Sequence, residues 1–276
     1  MAGEDAGRQF EQGFKQHIKD FVSYAVAAKG GDEAAKKEAV TSLMAYAKQQ
    51  GKFWSEATKG ALPAAAVEKS FEHHVGAVAK AVDALAAGKE TAYTLLKHAA
   101  DHMPEMAAVL AGGLAKAAKL EGDPNSPASK LRSDLTGLLQ AHVYLAGVAV
   151  FTAYTDKEGT DGRAFKAAAG ALDDNSVQLS KGIGSLAGAE NEKTFLKVWR
   201  GNIEDFVTYA DGTASKDEAM RAKAIKELDS YRGTAGDFFE KTSKGESPSD
   251  AVAEALQTHV ASLAGVIDSM AGALVK

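Results

Sequence analysis

From residue 8 onward, apolar side chains return every three or four positions along most of the chain, and runs that alternate with a period of two are absent. That spacing lines apolar residues along one face of a helix, so the fold is predicted to be all-α. Helices are predicted at 8–28, 33–58, 64–87, 90–119, 128–156, 161–187, 193–211, 216–243 and 249–274. The connectors KGG, KGALP, TDKEGTD and KGESPS carry the residues that stop helices, and turns this short make neighbouring helices antiparallel. The segment EGDPNSP (121–127) is the strongest break. It predicts a four-helix bundle over 1–120 and a five-helix bundle over 128–276.

The pattern also repeats. Laid over 195–270 without a gap, 10–85 matches at a constant offset of 185: Phe10 meets Phe195, Ile18 meets Ile203, and Asp20-Phe21-Val22 meets Asp205-Phe206-Val207. Tyr24 meets Tyr209, Leu43 meets Leu228, Tyr46 meets Tyr231, His74-Val75 meets His259-Val260, and Asp83 meets Asp268. Ungapped agreement of this length reads as a duplication, with the second bundle holding a copy of 10–85.

Polar residues interrupt the apolar stripes at one recurrent place. In KQHIKDFVSYA, His17 sits at helical steps from Phe10, Phe14, Phe21 and Tyr24, and so is expected to face inward. His74 is framed by Val67, Phe71, Val78 and Val82; His142 by Leu135, Leu138, Leu139 and Leu145; His259 by Val252, Leu256, Leu263 and Val266. His98 and His102 share a stripe with Leu95, Met106 and Val109. His73, flanked by Lys69, Ser70 and Lys80, is expected on the surface. The inward histidines lie near predicted helix midpoints, which antiparallel packing brings to one level. Pro104 is expected to leave the carbonyl of Ala100 unpaired and to kink the helix beside His102.

Neutral imidazoles gathered in a bundle core are ligands for zinc, copper, nickel or iron. The predicted metal site in the first bundle is His17, His74, His98 and His102, with Met103 or Met106 adding a thioether that would favour copper. In the second bundle only His142 and His259 remain, because Asn202 stands opposite His17 and Asn175 occupies another helix midpoint; a degenerate site or a polar network is expected there. The competing expectation is that these histidines are structural and pair with tyrosines or backbone carbonyls.

Composition narrows the alternatives. The 276 residues carry 32 basic and 37 acidic side chains, a net charge of -5, with no long basic run, so a nucleic-acid surface is not expected. There is no cysteine, which removes disulfides, thiolate ligands and cysteine nucleophiles. The most apolar stretch, LAGVAVFTAY (145–154), is by itself too short to span a bilayer, so no transmembrane segment is expected. The opening MAGEDAG reads as the polar start of a chain whose export signal has been removed. Motif spacings argue against an enzyme. Glu-x-x-His and His-Glu-x-x-His are absent, HAADH (98–102) gives one His-x3-His pair, and KGIGSLAG (181–188) has no preceding strand to make it a phosphate loop.

The stretches FEQGFKQHIKDFVSYA, FLKVWRGNIEDFVTYA, EHHVGAVAKAVDALAAGKETAYTLLKHAADHM, LLQAHVYLAG and ALDDNSVQLSKGIGSLAG resemble a histidine-bearing helical repeat of secreted or lipid-anchored proteins in Gram-positive bacteria, some loosely labelled copper amine oxidase-like. The resemblance implies an extracellular or cell-surface location and His17, His74, His102, His142 and His259 as the recurrent positions. It does not carry amine oxidase chemistry, which needs a strand-rich fold and a cofactor-forming tyrosine motif. The expected function is a secreted, non-enzymatic protein binding copper or zinc. The alternatives are a cell-surface structural or interaction module, and bis-histidine haem binding.

Overall fold

A computed structural model describes residues 3–275, which are helical almost throughout and contain no strand. The helices are α1 (Gly3–Gly30), α2 (Glu33–Ala57), α3 (Ala64–Ala86), α4 (Thr91–Asp101), α5 (Met103–Ala118), α6 (Pro127–Thr155), α7 (Arg163–Ala187), α8 (Ala189–Ser215), α9 (Glu218–Thr242) and α10 (Ser249–Leu274), with a short 3-10 turn at Gly159–Asp161. The helix predicted over 90–119 is thus two helices. Its interruption falls at His102, because Pro104 lacks the N–H that would bond Ala100 and is accommodated in the first turn of α5.

The chain forms two compact units, divided at Gly137/Leu138 within α6. In the first, α1, α2 and α3 pack against one another and α4 lies against α3. In the second, α8, α9 and α10 pack together and α7 lies against α8. Among the described residues α6 alone has the length and apolar character to cross a membrane, since the apolar stretch 145–154 continues a helix that begins at Pro127. One side of it, with His142, Leu145, Ala149 and Ala153, is buried, while Leu139, Tyr144 and Phe151 are exposed.

Local chemistry explains the helix ends. The Asp32 carboxylate accepts the Ala35 N–H at 3.0 Å, and Asp217 accepts that of Met220 at 3.0 Å, each covering a donor that the first turn leaves open. Side-chain arrangements recur at the offset of 185. Lys36 reaches Asp83 at 3.1 Å and lies over the Tyr24 ring, while Arg221 reaches Asp268 at 3.2 Å and lies over the Tyr209 ring. Phe10 packs on Phe53 and Trp54, and Phe195 packs on Phe238 and Phe239.

In each unit one helix approaches the backbone of the next at a glycine. A Cβ on Gly51 would lie 2.6 Å from the carbonyl oxygen of Ala64, and one on Gly236 would lie 2.6 Å from that of Ser249. Backbone cannot yield as a side chain does. Gly236→Ala is therefore expected to destabilise by about 1–3 kcal/mol despite alanine's better helix propensity, whereas Gly233→Ala, with open space around it, should stabilise by up to about 1 kcal/mol. Urea denaturation of the two variants measures the contrast, and equal effects would contradict the close approach.

Candidate functional site

The inner stripe of α1 is His17, Asp20, Tyr24 and Ala27, all buried at steps of three and four. Phe21 flanks this stripe half-buried, whereas Phe14, expected inward, is exposed. The His17 ring stacks on Tyr46 of α2 at 4.4 Å between centroids and meets Phe21 edge-on at 4.8 Å. Its Nδ1 is buried and has no hydrogen-bond partner. Burial holds its pKa below the ordinary value against the pull of Asp20. Asp20 itself is occupied: it accepts from Gln16 at 2.8 Å and from Ser42 at 2.6 Å.

From α3, His74 presents a second imidazole 6.0 Å from that of His17, centroid to centroid, and its Nδ1 is also buried and unpartnered. Burial, with the neighbouring imidazoles of His17, His102 and His73, pushes its pKa down to about 4. Both rings are therefore neutral at pH 7, the form in which imidazole is a ligand.

The remaining predicted ligands of this unit are placed differently. His98 is exposed, correcting the inward expectation: Tyr93, Lys97 and Asp101 take the inner side of α4, and His98 follows Lys97 by one 100° step. Lys97 is only 2% exposed and pairs with Asp101 at 2.6 Å. His102, at the break between α4 and α5, is largely covered, with Nε2 3.4 Å from the Ser70 carbonyl and Nδ1 3.3 Å from the Glu105 carboxylate. Its ring lies 4.1 Å from that of His73, which is exposed yet adjoins the cluster. The helical wheel of α3 alone missed this pairing. Met106 packs beside Tyr46, Leu62 and Phe71, and Met103 is exposed. Among the described residues no group of three or more histidine, aspartate or glutamate side chains is gathered as a ready cage for an ion.

No family model, curated protein or solved structure matches this chain.

In the second unit the polar residues do not assemble in the same way. His142 of α6 is 2% exposed and packs against Trp199 at 4.8 Å; His259 of α10 meets Phe206 edge-on at 6.2 Å and keeps a buried, unpartnered Nε2. Burial first, and the charge of His259 second, push the His142 pKa down to about 4, while Asn175 acts in the opposite sense. Asn202, which replaces the His17 ring at this offset, and Asn175 are both fully covered. Asn175 donates its amide to the Leu138 carbonyl at 3.0 Å, while both polar atoms of the Asn202 carboxamide are unpartnered.

Proposed function

We propose that the protein binds a copper or zinc ion, without catalysing a reaction, through His17 and His74. The observation that carries this reading is the pair of buried, unpartnered Nδ1 atoms on rings 6.0 Å apart. Two imidazoles sharing an ion through bonds of about 2.0–2.1 Å hold their ring centres roughly 5–6.5 Å apart, for angles between tetrahedral and linear. A buried nitrogen without a partner costs about 1–3 kcal/mol, which a metal bond removes. A third ligand would come from His102 or His73, both close enough to His74 to oppose its protonation, or from water. Haem fits less well, because Phe21 sets its edge against both rings and would have to move. On the motif resemblance we place this activity at the cell surface.

The stacking of His17 on Tyr46 and the tilted packing of His142 against Trp199 favour a second reading, in which the imidazoles serve packing alone and the bundles act as a surface module. Titration calorimetry and metal analysis of the whole chain, with Cu(II) and Zn(II) in turn, separate the two. The metal reading expects one equivalent bound at pH 7.5, affinity reduced at least tenfold in His17→Phe and in His74→Phe, and release only as pH falls to about 4, the pKa of the His74 ring. No ion bound by the wild type, or binding indifferent to both substitutions, leaves the packing reading.

A further inference from the structure

The outer side of α1 is apolar as well as the inner. Phe14, Ile18, Val22 and Val26 recur every fourth residue, which sets them in one ridge about half a turn from the buried stripe of His17, Asp20, Tyr24 and Ala27. They are 46 to 68% exposed, while the inner side of the helix packs on α2 and α3. Apolar residues scattered singly over a surface are ordinary, but a continuous ridge over about three turns of one helix marks a contact.

The second unit shows what covers such a ridge. At the offset of 185 the positions of Phe14, Ile18 and Val22 are held by Trp199, Ile203 and Val207, of which the first is buried and the other two are half-buried. Their cover includes a second helix: α7, joined to α8 by Gly188 alone, runs back antiparallel along it, and Asp173 of α7 accepts two hydrogen bonds of 2.7 Å from Arg200 of α8. Lys15 stands at the position of Arg200 and pairs instead with Glu11 on its own helix. The ridge of α1 thus has the form that takes an antiparallel helix with an apolar face.

We propose that α1 docks on α1 of a second copy of this chain, antiparallel about a twofold axis level with Asp20, the midpoint of the ridge. About that axis Phe14 meets the partner's Val26 and Ile18 meets the partner's Val22, so the ridge is its own complement. Charge selects the same arrangement. Glu11 and Lys29 are both exposed and stand about five whole turns apart, on one line through the middle of the ridge and at its opposite ends. The axis brings Glu11 of each copy to Lys29 of the other, two ion pairs that a parallel pairing would replace with like charges. An isologous contact of this kind uses one patch twice and closes at two copies. One helix from each copy makes a small interface, under about 1,200 Å², for which a dissociation constant on the order of 10 μM is expected. The contact lies on the side of α1 away from His17 and needs no metal.

Sedimentation velocity of the whole chain, with chelator present and from about 1 to about 200 μM, reads the association directly. The wild type is expected to pass from monomer to dimer over this range and to go no further. Ile18→Glu, at an exposed site remote from the core, should weaken association at least tenfold with an unchanged circular dichroism spectrum. Glu11→Lys and Lys29→Glu should each weaken self-association about fivefold, whereas an equimolar mixture of the two should dimerise as the wild type does, because each then offers the other two pairs of opposite charge. A wild type that stays monomeric throughout overturns the proposal, as does a dimer that Ile18→Glu leaves intact or a mixture no tighter than its components. Binding of a monomeric wild type to phosphatidylcholine–phosphatidylglycerol vesicles, lost in Ile18→Glu, would assign the ridge to a lipid surface and overturn it as well. The charge exchange tests the register even where Ile18→Glu fails to fold.

Discussion

Acidification from pH 7.5 to 5 is expected to strip the protein of a large part of its stability, with His142 as the main cause. Its pKa is about 4 in the folded chain, against a reference near 6.5 when unfolded. Between these values the unfolded chain binds the proton that the folded chain refuses. The stabilisation is therefore complete above pH 6.5, decreases as pH falls through the window, and is exhausted near pH 4. A depression of that size corresponds to roughly 3 kcal/mol, of which about 2 kcal/mol is lost by pH 5, before most carboxylates titrate. His74 shifts in the same direction, and its partial exposure makes its share smaller. The groups facing His142 are His259, whose charge would add to the penalty, and Asn175, which opposes it. Urea unfolding with chelator present should show a midpoint that drops between pH 7 and 5 in the wild type and drops much less in His142→Leu. A flat profile in the wild type would show that the imidazole is not held neutral by burial.

Leu43→Ala and Leu228→Ala are each expected to cost about 2–5 kcal/mol, the range for emptying a packed leucine site. Both side chains are completely buried, and they stand at equivalent positions of the two triads α1–α2–α3 and α8–α9–α10. Leu228 lies in a cluster with Phe206, Tyr209, Val260, Leu263 and Ile267 that leaves little freedom to collapse into the vacated volume. Against the 5–15 kcal/mol of an ordinary domain, either loss is enough to unfold a sizeable fraction of molecules when combined with acid. Thermal melts at pH 7.5 and 5 measure both effects together. A cost under about 1 kcal/mol at either leucine would mean that the core relaxes around the gap, contrary to its close packing.

The histidines illustrate how far local pattern carries a functional reading. That His17, His74 and His142 stand on inner faces follows from the residues three and four steps away, and burial bears this out for His17 and His142, with His74 half-covered. His98 fails the same test because its stripe is read across Pro104. The helix stops at Asp101, the sequence beyond it no longer constrains the phase of α4, and Lys97 rather than His98 turns inward beside Asp101. Lys97 and Asp101 did leave a trace, an i, i+4 pair of opposite charge, although such pairs ordinarily mark a solvated face.

By itself the sequence determined the helical class and most helix limits. These depend on interactions between residues at most four apart, which the order of residues states directly. Only the tertiary structure decided that His17 and His74 face each other at 6.0 Å, that exposed His73 abuts His102, that Gly51 and Gly236 admit a neighbouring backbone, and that His142 lines an apolar pocket. Each of these joins side chains from different helices. Such contacts are set by the axial shift and rotation with which two helices meet, and those follow from the packed shape of many distant residues, which no periodicity along a single helix contains.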